Sequence, residues 1–219
     1  MSTNWVKVHL MQDATGDSTI EAKNAFEQDA ATRGVQIKGY HADNGRYAEP
    51  LFKDDCRDKQ QSLTFCGVGA HHQNGIAEAK IKQLTLASRT MILHAQRHWP
   101  EYVSSILWPY ALLAAADRMD NLHVDLDGIT PEMKFSKVCG SPTRLKDSHT
   151  FSCPVYILDA RLQDAGGPGP PKWEPRSRLG IYLGHSPSHA GSVALVLNPR
   201  FGLVSPQFHV VFDDDFSTM

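Results

Sequence analysis

The stretch GVQIKGYHADNGRYAEP, residues 34–50, joins an alternating apolar run to an Asp-Asn-Gly turn. Val35 and Ile37 alternate with polar neighbours, which is typical of a strand. The triplet 43–45 follows, and short polar side chains before a glycine are first of all turn chemistry. An aspartate at the end of a strand also lies at the sheet edge where open α/β sheets bind ligands. Two interpretations of Asp43 are therefore open, a plain turn and a metal ligand.

Strands and helices alternate around this stretch as far as about residue 138. TNWVKVHLM, residues 3–11, predicts a strand because Trp5, Val8 and Leu10 alternate with polar residues. Helices are predicted from Ser18 or Thr19 to Gly34, from Pro50, from about Ile76 to His98, from Trp99 to Leu122 with a kink or break at Pro109, and from Pro131. This order predicts an α/β fold with a partly parallel sheet.

The composition changes towards the C-terminus. FSCPVYIL, RLGIYLGHS, GSVALVLN and LVSPQFHVVFDD predict four strands, and AGGPGPPKWEP predicts a stiff exposed loop. We therefore predict two domains, an α/β domain with trailing helices over residues 1–145 and a small, mostly β module over residues 146–219.

The bulk properties exclude several classes of protein. A net charge of −2 over 219 residues gives no global attraction to nucleic acid, so such contacts must rest on local patches. No segment predicts a signal peptide or a membrane span, so we expect no membrane partners. The four cysteines contain no C-x-x-C pair, which argues against a zinc knuckle or a disulfide framework and for reduced thiols in an intracellular protein. They are Cys56, Cys66, Cys139 and Cys153, and the tandem His71-His72 is interpreted as two loop residues.

A second carboxylate, Glu78, lies in the first turn of the long predicted helix. Thirty-four residues lie between Asp43 and Glu78, enough for one helix, one strand and one loop. Such a path can return a helix start to a strand end, where carboxylates can share Mg²⁺ or Mn²⁺. A structural interpretation is also open, because an acid in a first helical turn favours the helix dipole and Glu78 can pair with Lys82.

These motifs together resemble a known family. HADNG, residues 41–45, followed by the glutamate of HHQNGIAEAKIKQLTLASRTM, residues 71–91, is similar to the integrase catalytic core of copia-type long-terminal-repeat retrotransposons. LWPYALLAAADRMDNL, GITPEMKFS and the C-terminal strands continue the match in register, so that it covers nearly the whole chain. The resemblance implies an RNase H-like core that integrates DNA by metal-dependent polynucleotidyl transfer.

The resemblance also implies roles for individual residues. Asp43 and Glu78 would be the second and third members of an acidic triad that binds Mg²⁺ or Mn²⁺. Nucleic-acid contacts would come from the strand-end turn, the loop before the long helix and cations on that helix: Asn44, Gln73, Asn74, Lys80, Lys82 and Arg89. For the three cations a solvated helix face is an equally open interpretation. Element ends and target DNA would be the partners, with homo-oligomers and a nuclear location.

A second group of cations surrounds an aromatic residue in the C-terminal part. Lys172, Arg176 and Arg178 flank Trp173. This composition suits both a nucleic-acid surface and a simple loop, and the sequence does not separate the two.

The sequence departs from the family pattern in two places. The family's first catalytic aspartate lies two strands before the segment that TNWVKVHLM resembles, and it has no counterpart here. We therefore expect an N-terminally truncated core with an unpaired sheet edge. Ala79 stands where the family usually has arginine.

We expect an integrase fragment that is inactive as this isolated chain. The alternatives are a non-catalytic relic or nucleic-acid-binding module, and an α/β protein whose acidic turn and helix are purely structural.

Overall fold

A computed structural model of the protein describes residues 3–67, 74–138, 148–163 and 169–219. In these ranges the helices are α1 Gly16–Thr32, α2 Pro50–Asp58, α3 Gly75–His98, α4 Trp108–Asn121, α5 Pro131–Ser136 and α6 Ala160–Gln163. The strands are β1 Gly39–Ala42, β2 Ser62–Phe65, β3 Pro154–Leu158, β4 Ser177–His185, β5 Ala194–Asn198, β6 Leu203–Gln207 and β7 Val210–Phe212. The predicted α/β class with a β-rich C-terminal part is confirmed.

The chain divides into two compact units. The first contains Met1–Leu84 and Met119–Pro142, and the second contains Thr85–Arg118 and Thr143–Met219. The domain boundary predicted at residues 145/146 lies outside the described residues and stays a prediction. No helix in the described ranges is both long enough and apolar enough to cross a membrane.

The sheet of the first unit is the parallel pair β1–β2. Gly39 pairs with Ser62 and Ala42 pairs with Phe65. Parallel neighbours need a crossover, which α2 supplies, with Pro50 in its first turn where the missing N–H costs nothing. A Cβ atom on Gly39 would lie 2.7 Å from the backbone carbonyl oxygen of Ser62, as well as 1.9 Å from its Oγ, so this close approach of the two strands requires glycine.

A buried ion network connects α1 to α2 in the first unit. The Lys23 side chain is only 2% exposed, and its Nζ donates to Glu27, Asp55 and Gln61 over 2.6–2.7 Å. Burial raises the pKa of Glu27, but the surrounding donors outweigh burial and lower that pKa to about 2. These donors are Lys23, Lys59, Tyr40 and Gln61.

The strand predicted over residues 3–11 is wrong, because this segment joins no sheet in the described residues. Its polar groups bond to side chains instead of to a neighbouring strand. The Val6 N–H donates to the Asp120 carboxylate, and Trp5 Nε1 donates to Glu132 Oε2 over 2.7 Å. The Trp5 ring also stacks on Phe135 with centroids 4.1 Å apart. Side-chain contacts with α5 and the end of α4 therefore hold a segment whose pattern alone predicts a strand.

The sheet of the second unit is antiparallel throughout, with the order β6-β5-β4-β3-β7. Gln207 ends β6 and Val210 begins β7, although these two strands are at opposite ends of that order. Three residue steps span at most about 11 Å, whereas four strand spacings in a flat sheet span about 19 Å. The sheet must therefore curl so that its two edges approach each other, as in a small barrel.

Apolar side chains cover both faces of this curled sheet. Residues of α3 and α4, including Ala95 and Ala111, pack with Ile181 and Leu183 of β4. A second cluster contains Val155, Ile157, Tyr182 and Val196, with Phe212 and Phe216 against it. Trp99 Nε1 donates to the Ser152 carbonyl over 2.8 Å and so satisfies its only side-chain donor in the core.

Three further local predictions need correction. Residues 99–104 are not helical. Helical structure begins again only at the short 3₁₀ turn Ser105–Leu107, which the Ser104 side chain caps and which leads into α4. Pro109 neither kinks nor splits a helix, since it lies in the first turn of α4. The last predicted strand is divided into β6 and β7 at Phe208 and His209.

Candidate functional site at the carboxyl end of β1

Asp43 directly follows β1 and is exposed. Its Oδ1 accepts the Gly45 N–H over 3.1 Å, which is the local hydrogen bond of an Asx turn. Within the described residues, no further hydrogen bond or ion pair involves this carboxylate. The turn therefore uses one oxygen of Asp43 and leaves the other available to a ligand.

Asn44 fixes this turn to the neighbouring strand. Its Nδ2 donates to the Cys66 carbonyl over 2.7 Å, and Cys66 immediately follows β2. The Cys66 N–H in turn donates to the Ala42 carbonyl over 3.0 Å. The ends of β1 and β2 are therefore joined by one backbone and one side-chain hydrogen bond directly beside Asp43.

His41 lies beside the same strand ends. Its Nδ1 is 2.9 Å from Thr64 Oγ1, and its Nε2 is 3.6 Å from the Cys66 sulfur. The imidazole thus has a partner at each ring nitrogen. These polar contacts order the end of the sheet on which the turn is built.

Glu78 lies in the first turn of α3 and is exposed. The ion pair with Lys82 that its spacing allows is not formed, although both side chains are described. The ion pair with Lys82 therefore gives no support to a purely structural role for Glu78. That role is still supported by the general preference of acids for helix N-termini.

The three predicted DNA-contacting cations are also on α3. Lys80 is half-buried, whereas Lys82 and Arg89 are exposed, and none of them pairs with an acid among the described residues. Of the remaining predicted contacts, Asn74 directly precedes α3, and Gln73 lies outside the described residues.

The structure joins some predicted site residues and not others. It places Asp43 and Asn44 in one turn at the strand ends, and it gives no direct contact between Asp43 and Glu78. No group of three or more His, Cys, Asp or Glu side chains in the described ranges is arranged to hold a metal ion. The described residues therefore supply two available carboxylates, and they do not supply a complete metal-binding cluster.

The cations around Trp173 lie before β4, except for Arg178, which is the second residue of that strand. Trp173 is 89% exposed, and Lys172 Nζ is 5.3 Å from its ring centroid. A tryptophan so exposed adds little to the core, and both interpretations of this loop, a nucleic-acid surface and a simple loop, stay open.

Comparisons with known proteins give no family assignment. No protein-family model matches the chain, and no curated protein matches it. One similar solved structure is the HTLV-2 integrase catalytic core domain in complex with magnesium, with 16% identity and a TM-score of 0.39 over 52% of this chain and 68% of that one. Another is a simian T-cell lymphotropic virus intasome in complex with PP2A regulatory subunit B56 gamma, with 16% identity and a TM-score of 0.43 over 92% of this chain and 66% of that one. At these values no activity, ligand or partner of theirs carries over to this chain.

Sequence reasoning missed two sets of side-chain interactions in the first unit, the buried network around Lys23 and the bond from Asn44 to Cys66. Lys23 and Glu27 show i,i+4 spacing, which predicts an exposed pair on a helix. Their burial depends on Asp55 and Gln61, which become neighbours only in the folded chain. The bond from Asn44 to Cys66 likewise needs the parallel register of β1 and β2, which no local pattern gives.

Proposed function

We propose that this chain is part of an RNase H-like, copia-type integrase in which Asp43 and Glu78 are metal-ligand positions. The observation that supports this proposal best is the state of the two carboxylates. Both are exposed, one at the carboxyl end of a strand and one at the start of a 24-residue helix. In the part of the chain that the structure describes, neither is used in an ion pair. The motifs around them occur in the order and spacing of the family.

The donor chemistry fits a hard cation bound weakly. Mg²⁺ is commonly held by one or two carboxylates together with several waters. Polynucleotidyl transfer by two ions requires more ligands than the two carboxylates available here. We therefore propose weak Mg²⁺ or Mn²⁺ binding and no strand transfer by the 219-residue protein.

DNA is the proposed partner, contacted by exposed cations of α3. Lys82 and Arg89 project without acidic partners in the described residues, as phosphate-binding cations do. A nuclear location and assembly into homo-oligomers belong to the same proposal. The alternative, a nucleic-acid-binding module without metal chemistry, uses these same cations and does not need Asp43 or Glu78.

Mn²⁺ titration followed by electron paramagnetic resonance tests the metal site. We expect weak binding that is abolished in Asp43→Asn and in Glu78→Gln. Asp58→Asn and Glu101→Gln are matched controls, because each neutralises an exposed acid elsewhere and should leave binding unchanged. Equal binding in all five proteins, or none in any of them, would overturn the metal site.

A DNA-binding assay at several salt concentrations tests the alternative in the same proteins. Salt-sensitive binding that survives Asp43→Asn and Glu78→Gln, in a protein without Mn²⁺ binding, would favour the binding module. Lys82→Gln and Arg89→Gln should each remove one phosphate interaction and so lower the slope of log affinity against log salt by about 0.9.

A further inference from the structure

Two histidines lie on one face of α3 in its last two turns. His94 and His98 are four residues apart, a spacing that places side chains one above the other on a helix. Their ring centroids are 4.7 Å apart, and the ring planes are inclined by 52°. His94 is exposed and His98 is half-buried, so solvent reaches the pair.

This separation is close to that of two imidazoles bound to one metal ion. Zinc–nitrogen bonds are about 2.0–2.1 Å long in tetrahedral sites, so the two ring centroids are roughly 5 Å apart when both rings bind one ion. The observed separation of 4.7 Å is close to this value, so the two rings are near enough to each other to bind one ion.

The position of the pair on the helix favours a cation. The two histidines are at the C-terminal end of a 24-residue helix, where the helix dipole is negative.

Phe216 packs against both rings and limits their orientations. Its ring stacks on His98 at 4.1 Å and meets His94 nearly edge-on at 5.4 Å. Metals bind imidazole nitrogens in the plane of the ring, so the stacking of Phe216 on the face of His98 is compatible with coordination. Phe216 therefore restricts the rotation of both rings.

We propose that His94 and His98 form a two-histidine site for a borderline transition-metal ion such as Zn²⁺, Ni²⁺ or Cu²⁺, completed by water. Imidazole prefers these ions, whereas carboxylates prefer Mg²⁺ and Mn²⁺. The site is thus chemically distinct from Asp43 and Glu78 and does not depend on the proposed integrase function. With two protein ligands, it binds more weakly than the four-ligand sites of structural zinc.

Calorimetric titration of the whole 219-residue protein with Ni²⁺ or Zn²⁺ in excess Mg²⁺ tests this site. His94→Gln and His98→Gln should each weaken binding by about tenfold or more, because each removes one of two ligands. The double variant His71→Gln/His72→Gln removes the only adjacent histidine pair in the sequence and should leave this binding unchanged.

Histidine side-chain NMR spectra identify the ligands independently of affinity. Substoichiometric metal should shift or broaden the imidazole signals of His94 and His98 before those of the other histidines. Unchanged affinity in both single variants, or loss of binding only in the His71/His72 variant, would overturn the proposal.

Discussion

At the scale of single residues, Asn44 fixes the turn to the neighbouring strand, and Asp43 supplies an exposed negative charge. Asn44 donates a 2.7 Å hydrogen bond to the carbonyl at the end of β2, whereas among the described residues Asp43 accepts only the local bond of its own turn. An asparagine side chain can accept that same local bond. The negative charge of Asp43 is therefore not required by the turn.

We predict that Asn44→Ala lowers the free energy of unfolding by about 1 kcal/mol, since it removes one hydrogen bond and leaves the Cys66 carbonyl without this donor. Asp43→Asn should change stability by less than about 0.5 kcal/mol, because the Asx turn survives. Urea denaturation monitored by circular dichroism measures both values. A destabilisation by Asp43→Asn as large as that by Asn44→Ala would mean that the carboxylate is structural.

The turn itself could be predicted from the sequence because Asp-Asn-Gly encodes its own conformation. Lys23 shows the limit of that reasoning. Its identity and its spacing from Glu27 predict a solvated charge, yet its side chain is 2% exposed. The difference arises from partners on α2 and before β2, which lie 32 and 38 residues away in sequence. Burial of a charge is set by tertiary contacts that no local pattern contains.

At the scale of elements, the helices agree with the sequence better than the strands do. Pro50 begins α2 and Thr130 caps α5, as local signals predict. The predicted cap of α1, Ser18 or Thr19, is wrong, because Thr15 caps that helix about one turn earlier. A strand also needs a partner in a ladder, and the alternation in residues 3–11 cannot specify one. That segment is held by side chains of α4 and α5 instead.

The Trp5–Phe135 stack should therefore carry part of the stability of the first unit. We predict that Trp5→Ala is clearly destabilising, whereas Trp5→Phe loses mainly the Nε1 bond to Glu132, about 1 kcal/mol. A double-mutant cycle with Phe135→Ala should give a coupling of about 0.5–1.5 kcal/mol between the rings. Chemical denaturation of the four proteins supplies the cycle.

A coupling energy near zero would contradict this description of the segment. It would mean that residues 3–11 gain their order elsewhere, as the predicted strand would. Thr3→Ala is a suitable control, because its hydroxyl accepts a bond from the Trp5 N–H near it in sequence and lies outside the ring stack.

At the scale of the whole molecule, both units contain carboxylates that are stabilised in their ionised form. In the first unit the pKa of Glu27 is lowered to about 2, as the donors around it outweigh burial. In the second unit the pKa of Asp213 is lowered to about 2. The Thr218 hydroxyl has the largest effect, and the backbone N–H groups of Thr218 and Ser217 and the Ser217 hydroxyl add to it. Burial raises the pKa of Asp214, but His149 and the Thr150 N–H lower it on balance.

These shifts predict acid unfolding with a defined sign. A carboxyl whose pKa is lower in the folded protein adds stability above its unfolded pKa and loses it as the pH falls. The ordinary values are 4.5 for Glu27 and 3.8 for Asp213, so the melting temperature should be nearly constant above about pH 5 and fall steadily towards pH 2. The shift of Glu27 corresponds to at most roughly 3 kcal/mol of stability.

Thermal unfolding between pH 2 and pH 7 measures this profile. Glu27→Gln should flatten it, whereas Glu101→Gln, which changes an exposed acid outside these networks, should not. An unchanged slope in Glu27→Gln would show that the buried network around Lys23 does not couple the stability of the first unit to pH.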